Sequence, residues 1–199
     1  ASLISPEQVD GLQARLDPGD VLLERRNWYL SNLGLPGFWP HSELYVGTEA
    51  ELAEYFDSDP EVREAYPDGL GAFIARQSPE AWRAFRENGA DGRPHRILEA
   101  ISEGVAFSSL HEAAQADYVA ALRPRLTRLA KADALARAFT HYAKPYDFDF
   151  DFLTLSTLVC SELVFQAYLA PPGEGLELPL SEVIGRLTLP PNDLARMFD

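Results

Sequence analysis

A chain of 199 residues, 46% hydrophobic and 24% charged, has the size and balance of one globular domain with a sizeable core. Its net charge of −14 argues against a nucleic-acid or anionic-membrane surface, since both need clustered Lys and Arg. No apolar run approaches the ~20 residues that span a bilayer. One cysteine and four scattered histidines offer neither an internal disulfide nor a zinc spacing, and no P-loop or dinucleotide fingerprint is present, so no metal or cofactor is expected.

Residues 1–16 read as a short amphipathic helix, with Pro6 near its start and Val9, Leu12 and Leu16 on one face. Asp17-Pro18-Gly19-Asp20 is a turn signal, followed by Val21-Leu22-Leu23 as a buried strand. Arg25 to Trp39, rich in Gly, Pro, Asn and aromatics, reads as a loop. Its Trp28, Tyr29, Phe38 and Trp39 either line a pocket or close over an edge of the core. Leu44-Tyr45-Val46 is the next strand, ended by Gly47, and His41 lies just ahead of it after Pro40. By default such a histidine is a surface or hydrogen-bonded residue.

Residues 48–93 form a long polar stretch with helices at Glu49 to Phe56 and Pro79 to Glu87, the second with Ser78 as N-cap. A connection this long is expected to be a helical excursion, either a lid or cleft wall or a solvated decoration. His95 to Ala100 is a strand on which Ile97 and Glu99 share a face. A carboxylate beside core needs a partner: a salt bridge, which sequence alone favours, or a histidine to orient. Strands follow at 104–107 and 118–122, with a turn-rich joint at Ser108-Ser109.

Leu126 to Tyr142 carries a helical stripe of Leu126, Leu129, Ala130, Leu135, Ala138, Phe139 and Tyr142. His141 in its last turn is placed to complement the helix C-terminus. Phe148 and Phe150 alternate with Asp147, Asp149 and Asp151, a half-buried extended pattern. The three acids read as a solvated face, because the glycine and distal glutamate of a calcium loop are missing. Past Pro171-Pro172-Gly173 the tail is expected to wrap the surface, with a short helix at Leu180–Arg186.

The stretch from Ser156 to Tyr168 holds the single cysteine. Leu163, Val164, Ala167 and Tyr168 recur at helical spacing, and Ser156, Thr157 and Ser161 offer capping hydroxyls, so Cys160 sits at a helix N-terminus. Unpaired amides and the macrodipole there favour an anion, lower a thiol's pKa and can hold an oxyanion. The plainer alternative is a buried cysteine packing as a small hydrophobe.

Taken together, Pro18-Gly19-Asp20-Val21-Leu22, His41 with Leu44-Tyr45-Val46-Gly47, Ile97-Leu98-Glu99-Ala100 with Gly104-Val105, Pro145-Tyr146-Asp147 and Cys160-Ser161-Glu162-Leu163-Val164 resemble a known family. It is that of the circularly permuted papain-like hydrolases of the YiiX/YebB type, a branch of the NlpC-type cysteine peptidases related to lecithin retinol acyltransferase. The resemblance spans roughly residues 17–170, and its mark is a histidine that precedes the cysteine. It implies an α+β fold in which an antiparallel sheet packs against the helix bearing the nucleophile, here with a helical insertion at about 48–93 in one domain, 1–199.

By that resemblance Cys160 matches the nucleophile, His41 the base, Glu99 the residue that orients the imidazole, and Tyr146 a tyrosine bordering the oxyanion site. Ser161 and Tyr45 are expected beside the same oxyanion and substrate site. One departure is His41-Ser42-Glu43, which leaves both Glu99 and Glu43 able to orient His41. The implied activity is thiol-dependent cleavage of an amide in a small peptide or cell-wall-type substrate. The same three residues also support a thiol acyltransferase or lipid-ester hydrolase, and the fold alone a non-catalytic binding module. The expected partner is a small peptide or acyl substrate, without nucleic acid and without a transmembrane segment. The compartment is open, with an extracytoplasmic one slightly favoured.

Overall fold

A computed structural model of the chain describes residues 3–27, 37–146, 159–171, 175–178, 180–183 and 186–197. Five strands, β1 (Val21–Arg25), β2 (His41–Tyr45), β3 (His95–Ile101), β4 (Gly104–Ser109) and β5 (Tyr118–Leu122), pair antiparallel in the order β4-β3-β2-β1-β5. Side chains alternate along a strand, and here both faces are apolar. Val21, Leu23, Leu44, Leu98, Ala100, Val105 and Phe107 face the main core, which α7 (Arg128–Phe139) and α8 (Cys160–Tyr168) complete. Leu22, Tyr45 and Ile97 face a smaller cluster with Val9 of α1 (Pro6–Gln13) and Leu110 and Ala113 of α6 (Leu110–Ala113). This mixture of helices with an antiparallel sheet is the expected α+β class.

The segment after β2 forms four helices: α2 (Glu49–Phe56), α3 (Pro60–Ala65), α4 (Leu70–Gln77) and α5 (Pro79–Phe85). Two of them, α3 and α4, are not visible in the periodicity, because they are short and hemmed by Pro60, Pro67, Gly69 and Gly71. Side-chain caps start two of the four: Asp59 caps α3 ahead of Pro60, and Thr48 with Glu51 closes a capping box on α2. The stretch is no solvated decoration. Leu52, Phe56, Val62, Leu70, Ile74, Trp82 and Phe85 all enter the main core, each worth about 1.5–3 kcal/mol of burial.

Other expectations shift. Helix α1 stops at Gln13, with Ser5 and Gln8 forming its capping box, and Leu16 packs from beyond it. Strand β2 begins at His41, since Glu24 and Leu23 of β1 register against His41 and Ser42. The supposed joint at Ser108-Ser109 is strand, and Ser109 then caps α6. Helix α7 ends before His141, which burial and the neighbouring Lys144 push down to about 4; a neutral ring adds no charge to the helix terminus.

In the tail the expected helix at Leu180–Arg186 is instead a hairpin of β6 (Ser181–Val183) and β7 (Arg186–Thr188). Val183 is β-branched, which suits a strand. The helix forms later, as α9 (Pro191–Arg196), where Pro191 fits the first helical position. The expectations for Trp28, Tyr29 and the Asp147–Asp151 run lie outside the described residues. Phe38 and Trp39 sit edge to face, with Phe38 also against Tyr118 of β5 and Arg25 over its ring. No helix among the described residues is long and apolar enough to cross a membrane.

Candidate active site

Helix α8, nine residues or ~13 Å long, packs against β2 and β3 of the sheet. Its C-terminal end is tied to the start of β1. The Tyr168 hydroxyl donates to the Gly19 carbonyl, and Arg137 Nε donates to the Ala167 carbonyl at 2.9 Å. Gly19 has φ 95°, and a Cβ there would stand 3.2 Å from the Tyr168 oxygen and 3.3 Å from the Lys131 stem, so glycine is required twice over. Asp20 beside it is buried and accepts from Arg123 Nη2 at 2.8 Å and from the Asp17 amide at 2.9 Å.

The N-terminal end of α8 carries the sulfur. Its N-cap is Val159, extended at φ −93°, ψ 165°, with no side-chain cap, whereas a hydroxyl cap was expected; Ser156 and Thr157 lie outside the described residues. A valine has no oxygen to occupy the first-turn amides, which leaves them oriented toward the nucleophile's end of the helix. Cys160 is 2% exposed.

His41, at the start of β2, reaches both Glu99 and Cys160. Its Nε2 lies 3.0 Å from Glu99 Oε2, with side-chain exposures of 17% and 8%. Its ring also hydrogen-bonds the Cys160 thiol, which leaves Nδ1 as the nitrogen for sulfur. Burial alone would raise the thiol pKa. The His41 charge and the amides of Ser42 and Ser161 outweigh it, so Cys160 titrates below an ordinary thiol. For His41, burial pulls downward but the Cys160 thiolate, Glu99 and Glu24 hold the imidazole well above its ordinary value. Both shifts run in the direction that favours the charged pair, thiolate with imidazolium.

Of the two acids able to orient the ring, Glu99 makes the contact. It is also held from behind, as Ser108 Oγ donates to Glu99 Oε1 at 2.6 Å. Burial would raise the Glu99 carboxyl, but His41 and Ser108 together hold it below the usual range. Glu43 is wholly buried and makes no hydrogen bond, and burial beside Glu99 and Glu24 pushes it well up, toward the neutral acid. Glu24, paired with His41 across β1–β2, takes Arg26 at 3.2 Å.

Ser161 is buried and offers its amide to the sulfur. Tyr146 is half-buried at the margin of the main core. Tyr45 is not brought to the sulfur: it lies four residues along β2 from His41, in the smaller cluster, with its hydroxyl 3.5 Å from Glu51. Ser42, Ser108 and Glu24 are contributors that sequence reasoning passed over. Glu24 left a trace in the sequence, as a carboxylate directly after the buried run Val21-Leu22-Leu23.

A cysteine at a helix start, an imidazole against it and a carboxylate behind the ring stand in series, the order of groups that nucleophilic catalysis by a thiol requires. A family model described as permuted papain-like amidase enzyme, YaeF/YiiX, C92 family, matches residues 15–198. No curated protein and no solved structure gave a match to the chain.

Proposed function

The chain belongs to the family of permuted papain-like amidases and is a hydrolase of that kind; from this premise we propose that it cleaves an amide bond in a small peptide or cell-wall-type substrate through Cys160, His41 and Glu99. The observation that carries the reading is the continuous contact from Glu99 through the His41 ring to the Cys160 sulfur.

The Cys160 thiolate attacks the amide carbon, forming the C–S bond, while the oxygen's new negative charge is held by the Cys160 amide. Tyr146 borders this oxygen as a second donor. The C–N bond then breaks as His41 Nδ1 gives its proton to the leaving amine. Water next loses a proton to Nδ1 and attacks the thioester, and breaking the C–S bond frees the acid and restores the thiolate. Throughout, Glu99 fixes the ring and balances its charge, with Ser108 keeping the carboxylate in place.

The test is turnover of a panel of aminoacyl amides, short peptides and acyl esters, with mass detection of an adduct on Cys160. Amide turnover that vanishes in a folded Cys160→Ala variant is expected. Full activity in that variant overturns the mechanism. Transfer of ester acyl groups with no amide cleavage would favour the acyltransferase reading instead.

A further inference from the structure

The acids around His41 outnumber their cations. Glu24, Glu43 and Glu99 are 4%, 0% and 6% exposed, and the cations they face among the described residues are Arg26 and an imidazole that also faces the Cys160 sulfur. Glu43 stands out, because both its oxygens are buried without a hydrogen-bond partner. Leu44 and Tyr45 register against Leu98 and Ile97, so one step further along the ladder Glu43 stands opposite Glu99. A Glu43 oxygen, a Glu99 oxygen and a His41 ring nitrogen all lie within 4.8 Å of one another. Among the described residues no other His, Cys, Asp and Glu side chains converge in this way.

We infer that His41, Glu43 and Glu99 form a binding site for a divalent cation of the zinc type, and that the ion holds the hydrolase in an inactive state by occupying its base. One imidazole nitrogen with two carboxylate oxygens suits Zn²⁺ at about 2.0–2.2 Å. Neighbouring ligands of a tetrahedral zinc stand about 3.3 Å apart, and His41 Nε2 and Glu99 Oε2 are already 3.0 Å apart. Glu43 closes the remaining gap without giving up a hydrogen bond, since it has none. Ser108 stays on the far oxygen of Glu99 as the outer partner that fixes a ligating carboxylate.

The ion replaces the proton on Nε2, and any proton on Glu43 is released with it. The ring then keeps a single proton on Nδ1. It can neither accept one from a thiol nor give one to a leaving amine without becoming an imidazolate. Binding stands independently of the proposed reaction; only the loss of turnover rests on it.

The experiment is calorimetric titration of Zn²⁺ alone into the Cys160→Ala protein, where sulfur cannot hold the ion. One Zn²⁺ per chain with proton release is expected. Affinity should fall at least ~10-fold when Glu43→Gln is added, and likewise when His41→Ala is added, each with an unchanged circular dichroism spectrum. No binding to Cys160→Ala overturns the site and leaves Glu43 a neutral acid. Binding that survives both further substitutions overturns it as well. Zn²⁺ that binds yet leaves wild-type turnover unchanged overturns the inactive state, whereas a protein with no turnover at all counts against the amidase reading and not against the site.

Discussion

The two ends of α8 are anchored beside buried carboxylates in opposite ways. At the C-terminal end, Asp20 has a full complement of partners in Arg123 and the Asp17 amide, next to the Tyr168–Gly19 bond. At the N-terminal end, Glu99 is satisfied by His41 and Ser108, but Glu43 across from it has no donor among the described residues. A fully paired buried acid fixes geometry. A cluster short of donors instead stores a charge imbalance, and here that imbalance surrounds His41, the base of the proposed reaction. The first end is architecture and the second is chemistry, although both bury carboxylates to a similar extent.

The sharpest way to break the contrast is Glu99→Gln. The amide keeps the shape but not the charge that stabilises the imidazolium, so kcat/KM should fall by ~100-fold or more with little change in folding. If activity is unaffected, Glu99 is not the orienting group.

Next come two substitutions of opposite sign. Asp20→Asn should lower stability by about 1–3 kcal/mol, because the Arg123 pairing weakens, while turnover per folded molecule is kept. Glu43→Leu should raise stability by about 1 kcal/mol, because it removes a buried polar group without partners. The folded-state pKa of Glu43 lies above its unfolded value. Its contribution is therefore complete below the ordinary carboxylate range and is lost as pH rises through the raised value. The gain from Glu43→Leu should thus widen toward alkaline pH in chemical denaturation. Glu99, held low, behaves in reverse, and its contribution is lost as pH falls. A Glu43→Leu protein no more stable than wild type at every pH would contradict the contrast.

The smallest effect is expected from Ser108→Ala. Losing one donor to Glu99 should cost no more than about tenfold in kcat/KM, together with a shift of the acid limb of the pH profile.

How much of this was legible in the sequence depended on whether the signal was local. Cys160 at a helix start, the span of β5 and the shared face of Ile97 and Glu99 follow from spacing, and they appear where expected. What spacing could not resolve was register. Glu99 and Glu43 are equally plausible in one dimension, and only strand pairing, with Ser108 arriving from β4, decides which of them holds the ring. Tyr45 shows the same limit: it shares a strand with His41, yet the strand carries it away into the smaller cluster. The short helices α3 and α4 were obscured because proline and glycine punctuation reads as loop until a core gives it a surface to cover, and the β6–β7 pair because a span this short fits helix and strand alike.

The central claim is most directly tested by the ultraviolet absorbance of the Cys160 thiolate as a function of pH, in wild type and in His41→Ala. In wild type the thiolate should persist below the range of an ordinary thiol, because His41⁺ and the Ser42 and Ser161 amides stabilise it, and the transition should move up sharply when the imidazole is removed. A wild-type sulfur that titrates like free cysteine, or one indifferent to His41→Ala, would contradict the account.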